Sequence, residues 1–171
     1  MQTKLKKTKN MKIEIYTDGA AQGNPGNGGY GIVLRFGGKE KELSKGYRLT
    51  TNNRMELLAV IIALEQLKTN KHPVEIYSDS KYVIDAIEKG WVFQWRANNF
   101  KKKKNPDLWR RYLPLHEKYK PKFFWVKGHS GHPENERCDR LAVEAAEGND
   151  LAVDEFFEQQ KATDENNEGM F

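Results

Sequence analysis

The stretch YTDGAAQGNPGNGGYG, from Tyr16 to Gly31, places an aspartate at the end of a predicted strand and follows it with six glycines in a predicted loop. An Asp-Gly pair favours a tight hairpin, but this loop is longer than such a turn needs. Three of the glycines match a lone dinucleotide-binding pattern, which requires a helix to follow. The next residues, GIVLRF, predict a strand instead, and no P-loop lysine follows. The role of Asp18 therefore depends on the rest of the chain.

Around this stretch, apolar and polar residues alternate in three short segments: 12–17, 30–36 and about 40–47. This period predicts a three-stranded antiparallel meander with Gly-rich links. The segment NNRMELLAVIIALEQLK then predicts a helix that is apolar nearly all round in its middle, so we expect it to be buried against the sheet.

Two further strands, VEIYS and KFFWV, are predicted beyond this helix, with the helices DSKYVIDAIEKG and PENERCDRLAVEAAE after them. Strands that alternate with helices indicate a parallel extension of the sheet. A helical and strongly basic stretch lies between Trp91 and Lys122. The pattern as a whole predicts an α/β fold.

Composition indicates one soluble globular domain, since the chain has 171 residues of which 37% are hydrophobic. It contains no apolar run of about 18 residues, as a membrane span would need. The opening MQTKLKKTKN lacks the apolar stretch of a signal peptide. The single cysteine, Cys138, rules out an internal disulfide framework. We expect a cytoplasmic protein with no membrane association.

Charge is distributed unevenly along the chain. The net charge is +5, but seven acidic residues and one basic residue follow from Asp150 onward, so the first 149 residues carry +11. A basic body of this kind fits a polyanionic partner. A merely solvated basic surface is the alternative.

Four acidic residues occupy unusual positions. Asp18 and Asp79 each end a predicted strand, and Glu56 lies on an apolar helix face, where an unpaired charge is costly. Asp139 lies well inside the last helix, where aspartate is a poor helix former. A helix-capping role is the alternative explanation for two of them. Asp79 can act as a helix N-cap, and Glu56 can form a capping box with Asn53.

In an open α/β sheet, neighbouring strand ends and adjoining helices converge on one edge. Four acids brought together there would repel one another strongly unless hard cations bind them, and Mg²⁺ takes carboxylate ligands while keeping waters and substrate phosphates. Two such ions about 4 Å apart can activate a water and stabilise the leaving oxygen of a phosphodiester. Asp18 is then a metal ligand, with glycines that let the backbone approach substrate.

A zinc site is the weaker interpretation of the residues near the C-terminal helix. His129, His132 and Cys138 fit no common zinc spacing and lack a fourth ligand. We interpret Cys138 as a core residue and His132, which precedes Pro133, as structural.

Four segments resemble, in order, ribonuclease H of the bacterial type 1 class over about residues 11 to 148: YTDGAAQGNPGNGGYG, TTNNRMELLAVIIALE, YSDSKYV and WVKGHSGHPENERCDRLA. The resemblance implies a ribonuclease H-like fold, with three antiparallel and two parallel strands in one mixed sheet flanked by helices. It also implies a metal-dependent endonuclease that cleaves the RNA strand of RNA/DNA hybrids, leaving 5'-phosphate and 3'-hydroxyl ends.

The same resemblance assigns roles to individual residues. Asp18 bridges two Mg²⁺ ions, with Mn²⁺ able to substitute. Asp139 holds the ion that activates water, while Glu56 and Asp79 hold the ion that faces the leaving group. His129 matches a mobile catalytic-loop histidine that shuttles protons or assists product release.

Two segments are predicted to hold the hybrid. TTNN, at the start of the buried helix, offers hydroxyls, amides and free backbone N–H groups suited to a phosphate, although capping alone also explains it. In the basic stretch, aromatic rings can stack on sugars or bases and lysines can neutralise phosphates. Trp91 and Trp95, at helical spacing, can equally be core anchors. The resemblance implies that Asn24, Thr51, Asn52 and Asn53 contact the two strands of the hybrid. The candidates in the basic stretch are Trp91, Trp95, Arg96, Lys101, Lys102, Lys103 and Lys104.

We expect three parts: a flexible basic leader at 1–10, the nuclease domain at 11–148, and an acidic tail at 149–171 that is at least partly disordered. The expected partner is the hybrid, with no obligatory protein partner and a monomeric state. The sequence departs from the family pattern at Lys81, where bacterial relatives often have glutamine. This difference affects one expected contact with the minor groove. The alternatives are a non-catalytic hybrid-binding module and another nuclease or transposase of the same superfamily.

Overall fold

The computed structural model describes residues 11–169, in which six strands and six helices follow one another. The strands are β1 (Ile13–Gln22), β2 (Gly26–Phe36), β3 (Lys39–Thr50), β4 (Val74–Ser78), β5 (Lys122–Trp125) and β6 (Leu151–Ala152). The helices are α1 (Asn52–Glu65), α2 (Lys81–Glu88), α3 (Trp91–Ala97), α4 (Pro106–Tyr119), α5 (Pro133–Glu147) and α6 (Glu155–Glu168).

All six strands form one mixed sheet in the order β5-β4-β1-β2-β3-β6. β1, β2 and β3 pair antiparallel, as the meander predicted, and β4 and β5 extend the sheet in parallel from β1. The α/β prediction is therefore confirmed. The short β6 is an addition to the five expected strands, and it pairs in parallel with β3.

The predicted glycine-rich loop is wrong, because most of its residues belong to a hairpin. β1 continues to Gln22 and β2 begins at Gly26, so only a short turn separates them, and Gly23 in that turn has a φ of +73°. Asp18 consequently lies in the middle of a paired strand, opposite Gly31, and does not end the strand. Glycine is rare in strands unless another backbone approaches closely. The many glycines therefore predicted a loop instead of two paired strands.

The glycines of β2 allow α5 to pack directly on the sheet. A side-chain carbon added at Gly29 would lie 2.5 Å from the carbonyl oxygen of Ala142, and one added at Gly31 would overlap the carbonyl oxygen of Cys138. These two carbonyls are one helical turn apart, so the glycines form a groove for the helix. The expectation that these glycines bring backbone close to substrate is replaced by a packing role.

The main core lies on the other face of the sheet. α1 is buried along most of its length, as its apolar sequence predicted, and packs against inward-facing residues of β1 such as Ile15. α4 adds Trp109 and Tyr112, both fully buried, to the same core. The sheet is thus covered by α1 and its neighbours on one face and by α5 on the other.

Part of the acidic tail, for which at least partial disorder is expected, forms β6 and α6 after α5. A buried ion-pair cluster holds it: Arg54 of α1 donates through Nε to Asp154 at 2.7 Å and through Nη2 to Asp107 at 2.7 Å. Arg54 is only 3% exposed, and removing one partner from such a pair is strongly destabilising. The basic leader at 1–10 lies outside the described residues.

Within residues 11–169, none of the helices combines the length and the apolar character needed to cross a bilayer.

The packing of α5 on the glycines predicts a large effect of one added methyl group. Gly31→Ala is expected to lower the free energy of unfolding by about 2 kcal/mol or more, because overpacking in a well-packed core typically costs about 1–3 kcal/mol. Gly148→Ala is the matched control, since its nearest neighbour is an ordinary contact at 3.4 Å. Urea unfolding of both variants measures the difference. Equal stabilities would contradict the packing role of Gly31.

Candidate active site

The register of two neighbouring strands brings Asp18 and Asp79 together. β1 and β4 run parallel with Tyr16 opposite Tyr77, so two residues further along both strands Asp18 and Asp79 lie at the same level. Asp79 follows directly after β4 ends at Ser78. The parallel pairing of β1 with β4 therefore brings the two aspartates together although they are far apart in the sequence.

Glu56 reaches the same point from α1. A side-chain carbon at Gly19 would lie 2.9 Å from the Cα atom of Glu56, so only glycine lets the helix approach β1 this closely. One carboxylate oxygen from each of Asp18, Glu56 and Asp79 lies within 4.8 Å of the others. Among the described residues, this is the one group of three or more such side chains placed closely enough to hold a metal ion.

Neither capping explanation for these acids fits the structure. The N-cap of α2 is Ser80, whose hydroxyl accepts a hydrogen bond from the Val83 N–H at 3.2 Å, so Asp79 is free of that role. The N-cap of α1 is Thr51, which leaves Glu56 outside the position that a capping box requires. Both carboxylates are instead directed at the acidic cluster.

Burial and mutual repulsion make this cluster electrostatically unfavourable by itself. Asp18 is 4% exposed and Glu56 is 8% exposed. Burial, followed by the charges of Asp79 and Asp139, raises the pKa of Asp18 to about 8. Burial and the neighbouring Asp18 raise the pKa of Glu56 well above its usual range. Oε2 of Glu56 is buried with no hydrogen-bond partner among the described residues. Carboxylates in this state suit a bound cation.

The fourth predicted acid, Asp139, lies on α5 and is half-buried. It falls outside the group of three, although its charge contributes to the raised pKa of Asp18. The structure thus joins three of the four acids closely and places the fourth within electrostatic range.

A loop after β5 lies against Asp79. A side-chain carbon at Gly128 would lie 2.7 Å from Oδ2 of Asp79, so the backbone passes close to the carboxylate. His129 comes next, exposed and with a φ of +55°. This places the predicted loop histidine beside the acidic cluster.

Sequence reasoning missed Trp125, which ends β5. Its indole N–H donates to the backbone oxygen of Asp79 at 3.2 Å, and its ring is 45% exposed. Nζ of Lys81 lies 4.2 Å from the centre of this ring, within the usual range for a cation–π contact. A tryptophan at the end of the strand KFFW was the available signal.

The residues expected by resemblance to contact the two nucleic-acid strands surround the start of α1. Asn24 is exposed in the β1–β2 turn, and its side-chain oxygen accepts a hydrogen bond from the N–H of Asn52 at 3.2 Å. Thr51 caps the helix, while Asn52 and Asn53 are exposed. Helix capping therefore explains the threonine at position 51. The side-chain amides of Asn52 and Asn53 are exposed and accessible to a ligand.

The basic stretch divides into two helices, α3 and α4, joined by an exposed lysine segment at 101–104. Trp95 is a core anchor in part, since it packs edge-on against Trp109 at 6.0 Å. Trp91 is 42% exposed. Arg96 is paired with Glu117 at 3.1 Å. The exposed members of the basic stretch in the predicted set are thus Trp91, Arg96 and the four lysines, and of these Arg96 is engaged in an ion pair.

The structural interpretations of His132 and Cys138 agree with the structure. Nδ1 of His132 accepts the N–H of Asn135 and so caps α5, while Cys138 is fully buried under the sheet. Burial raises the pKa of the Cys138 thiol, which disfavours the thiolate that zinc needs.

Comparison with known sequences gives a consistent family. The family model for RNase H matches residues 10–147. A protein named ribonuclease H from Desulforamulus reducens is 59% identical over 151 residues, which cover 85% of this chain and 94% of that protein. Another ribonuclease H, from Trichodesmium erythraeum, is 56% identical over 151 residues, covering 85% of this chain and 96% of that protein.

Solved structures of the family share the fold. LC9-RNase H1, a type 1 RNase H with the type 2 active-site motif, aligns with a TM-score of 0.71 at 30% identity, over 80% of this chain and 72% of that one. LC11-RNase H1 in complex with an RNA/DNA hybrid aligns with a TM-score of 0.61 at 30% identity, over 80% and 97%. The chain belongs to the ribonuclease H family.

Proposed function

We propose that the protein is an endonuclease that hydrolyses the RNA strand of RNA/DNA hybrids and leaves 5'-phosphate and 3'-hydroxyl ends. The observation that carries the proposal is the trio of Asp18, Glu56 and half-buried Asp79, in which one carboxylate oxygen from each lies within 4.8 Å of the others. Relatives at 59% and 56% identity are named ribonuclease H, and a structural neighbour was solved with an RNA/DNA hybrid.

The donor set fits divalent ions, with Mg²⁺ as the proposed metal. Hard cations prefer carboxylate oxygens, and the unpartnered Oε2 of Glu56 is an acceptor that lacks a donor among the described residues. Asp18, Glu56 and Asp79 would hold the metal, with Asp139 as the fourth carboxylate. When bound, a pair of such ions activates water and stabilises the leaving oxygen of a phosphodiester.

The remaining residues position the substrate. His129, exposed beside Asp79, is proposed to move a proton or to assist product release. The amides of Asn24, Asn52 and Asn53 would contact the two strands, which is supported by their exposure at the positively polarised start of α1. The lysines of the 101–104 segment would neutralise phosphates further along the duplex, and phosphate contacts position a nucleic acid while the 2'-hydroxyl identifies RNA.

The proposed activity predicts a clear substrate pattern. The protein should cleave a labelled RNA/DNA hybrid with Mg²⁺ and leave duplex RNA and duplex DNA intact. Asp79→Asn should lower cleavage by about 10³-fold or more while hybrid binding survives, because the amide keeps the shape and removes the charge that cations require. Asp150→Asn, on the exposed tail, is the control for removal of one acid. Near-normal turnover of Asp79→Asn would contradict the metal assignment.

The raised pKa of Asp18 predicts how stability changes with pH in the metal-free protein. Because the pKa is about 8 in the folded protein and about 3.9 in an unfolded chain, protonation stabilises the folded state. That contribution is lost as pH rises from about 4 through about 8. In EDTA, Asp18→Asn should therefore have a higher Tm than the parent at pH 8, with the difference vanishing near pH 4.

The same thermal scans test metal binding without measuring activity. Mg²⁺ should raise the Tm of the parent at pH 8 and leave that of Asp18→Asn nearly unchanged, because ligand binding to the folded state stabilises it. An equal Mg²⁺ effect on both proteins would place the ion elsewhere.

The exposed lysine segment predicts an effect on binding alone. Replacement of Lys101, Lys102, Lys103 and Lys104 by serine should raise KM. The slope of log Kd against log salt should fall by about 0.9 for each duplex phosphate that the variant no longer neutralises. We expect kcat to stay nearly constant. The control replaces the exposed residues Lys39, Lys41 and Lys68, which line a surface at the start of β1, together with exposed Lys71. If KM and the salt slope match those of the control, the segment is an ordinary solvated loop.

A further inference from the structure

A groove of about 450 Å³ separates the start of α1 from the acidic helix α6. One wall carries Asn24, Thr51 and Asn53, and the end of the lysine segment adds Lys104. The opposite wall is formed by α6 through four residues. These are Phe156, Phe157, Gln160 and Asp164.

The inner wall has the character of a phosphate site. The N-terminus of α1 carries a partial positive charge, and exposed amides flank it at Asn24 and Asn53. Lys104 adds a full charge at the same groove. A nucleic-acid backbone bound there would lie directly against α6.

The outer wall has the opposite character. α6 contains no buried residue. Its second half carries the acids Asp164, Glu165 and Glu168, and Lys161 is the one base of the helix. Polyanions are repelled by such a surface over about one Debye length, which is about 10 Å at 0.1 M salt. The acids of α6 therefore repel the nucleic-acid backbone that the inner wall attracts.

Among the described residues, the ion pairs of α6 with the rest of the fold come from its N-cap and first turn. Asp154 caps it and binds the buried Arg54, and Arg48 forms a bidentate pair with Glu158 in which Nη2 lies 2.8 Å from Oε1. The guanidinium of Arg54 also lies 5.4 Å from the ring centre of Phe156. The start of the helix is thus fixed beside the groove, and its acidic half extends from that anchor.

We propose that α6 is an electrostatic wall of the nucleic-acid groove and that its acidic half weakens hybrid binding by repelling the backbone that enters beside Thr51 and Lys104. The proposal rests on the proposed function. It adds a determinant of affinity that lies outside the carboxylate cluster. Its effect is on capture of the hybrid and not on the cleavage step, because the first turn of α6 contacts α1 and β3 but none of the clustered acids.

The test neutralises three acids without shortening the chain. In the variant Asp164→Asn/Glu165→Gln/Glu168→Gln, the Kd for a short RNA/DNA hybrid, measured by fluorescence anisotropy in EDTA, should fall about five- to tenfold at about 50 mM salt. The difference should narrow by about 300 mM salt, because screening shortens the repulsion. KM in Mg²⁺ should fall with Kd, and kcat should stay constant. A second variant, Asp164→Lys, should also lower Kd.

The matched control neutralises three exposed acids on the opposite side of the fold and at the start of the tail. It is Glu136→Gln/Glu144→Gln/Asp150→Asn, which changes net charge equally. The proposal is overturned if the α6 variant and the control have the same Kd, or if the α6 variant binds more weakly. A parent that neither binds nor cleaves the hybrid would instead refute the proposed function, so the two failures are distinguishable.

Discussion

Repulsion between buried carboxylates is the constraint on which the rest of this structure depends. Asp18 and Glu56 are almost completely buried, and Asp79 lies beside them. A buried ionised carboxylate without a partner is costly, so the surrounding fold must supply enough stability to hold the trio together. The buried helix α1 and the central strand β1 are the elements that do this, and both belong to the largest core of the protein. The site is therefore built on rigid elements.

Close backbone packing is the device that makes this arrangement possible. Gly19 lets α1 approach β1 at Glu56, Gly31 lets α5 approach β2 at Cys138, and Gly128 lets the loop after β5 approach Asp79. Each glycine removes a side chain at a place where another backbone or carboxylate passes. Three elements thereby converge on one sheet position with little room for relaxation, which preserves the spacing of the proposed metal ligands.

Charge is divided between parts of the molecule that face one another. The proposed nucleic-acid groove has amides and a lysine on one wall and the acidic helix α6 on the other. Arg54 links these parts, because it is buried in α1 and binds both Asp107 at the start of α4 and Asp154 at the start of α6. The same ion-pair cluster thus holds the starts of α1, α4 and α6 together.

Much of this could be predicted from local sequence. Alternation predicted the antiparallel meander, the apolar segment at 52–68 predicted a buried helix, and the odd placement of Glu56 and Asp79 indicated a shared acidic site. These signals are local because periodicity and burial are properties of short segments. The sequence by itself therefore determined the α/β class and the acids of the candidate site. Only the tertiary structure decided that Asp18 lies within a paired strand, that Ser80 and Thr51 are the caps, and that the acidic tail folds as β6 and α6. Those outcomes depend on strand register, close backbone approach and the long-range pairing of Arg54 with Asp154, which no local pattern contains.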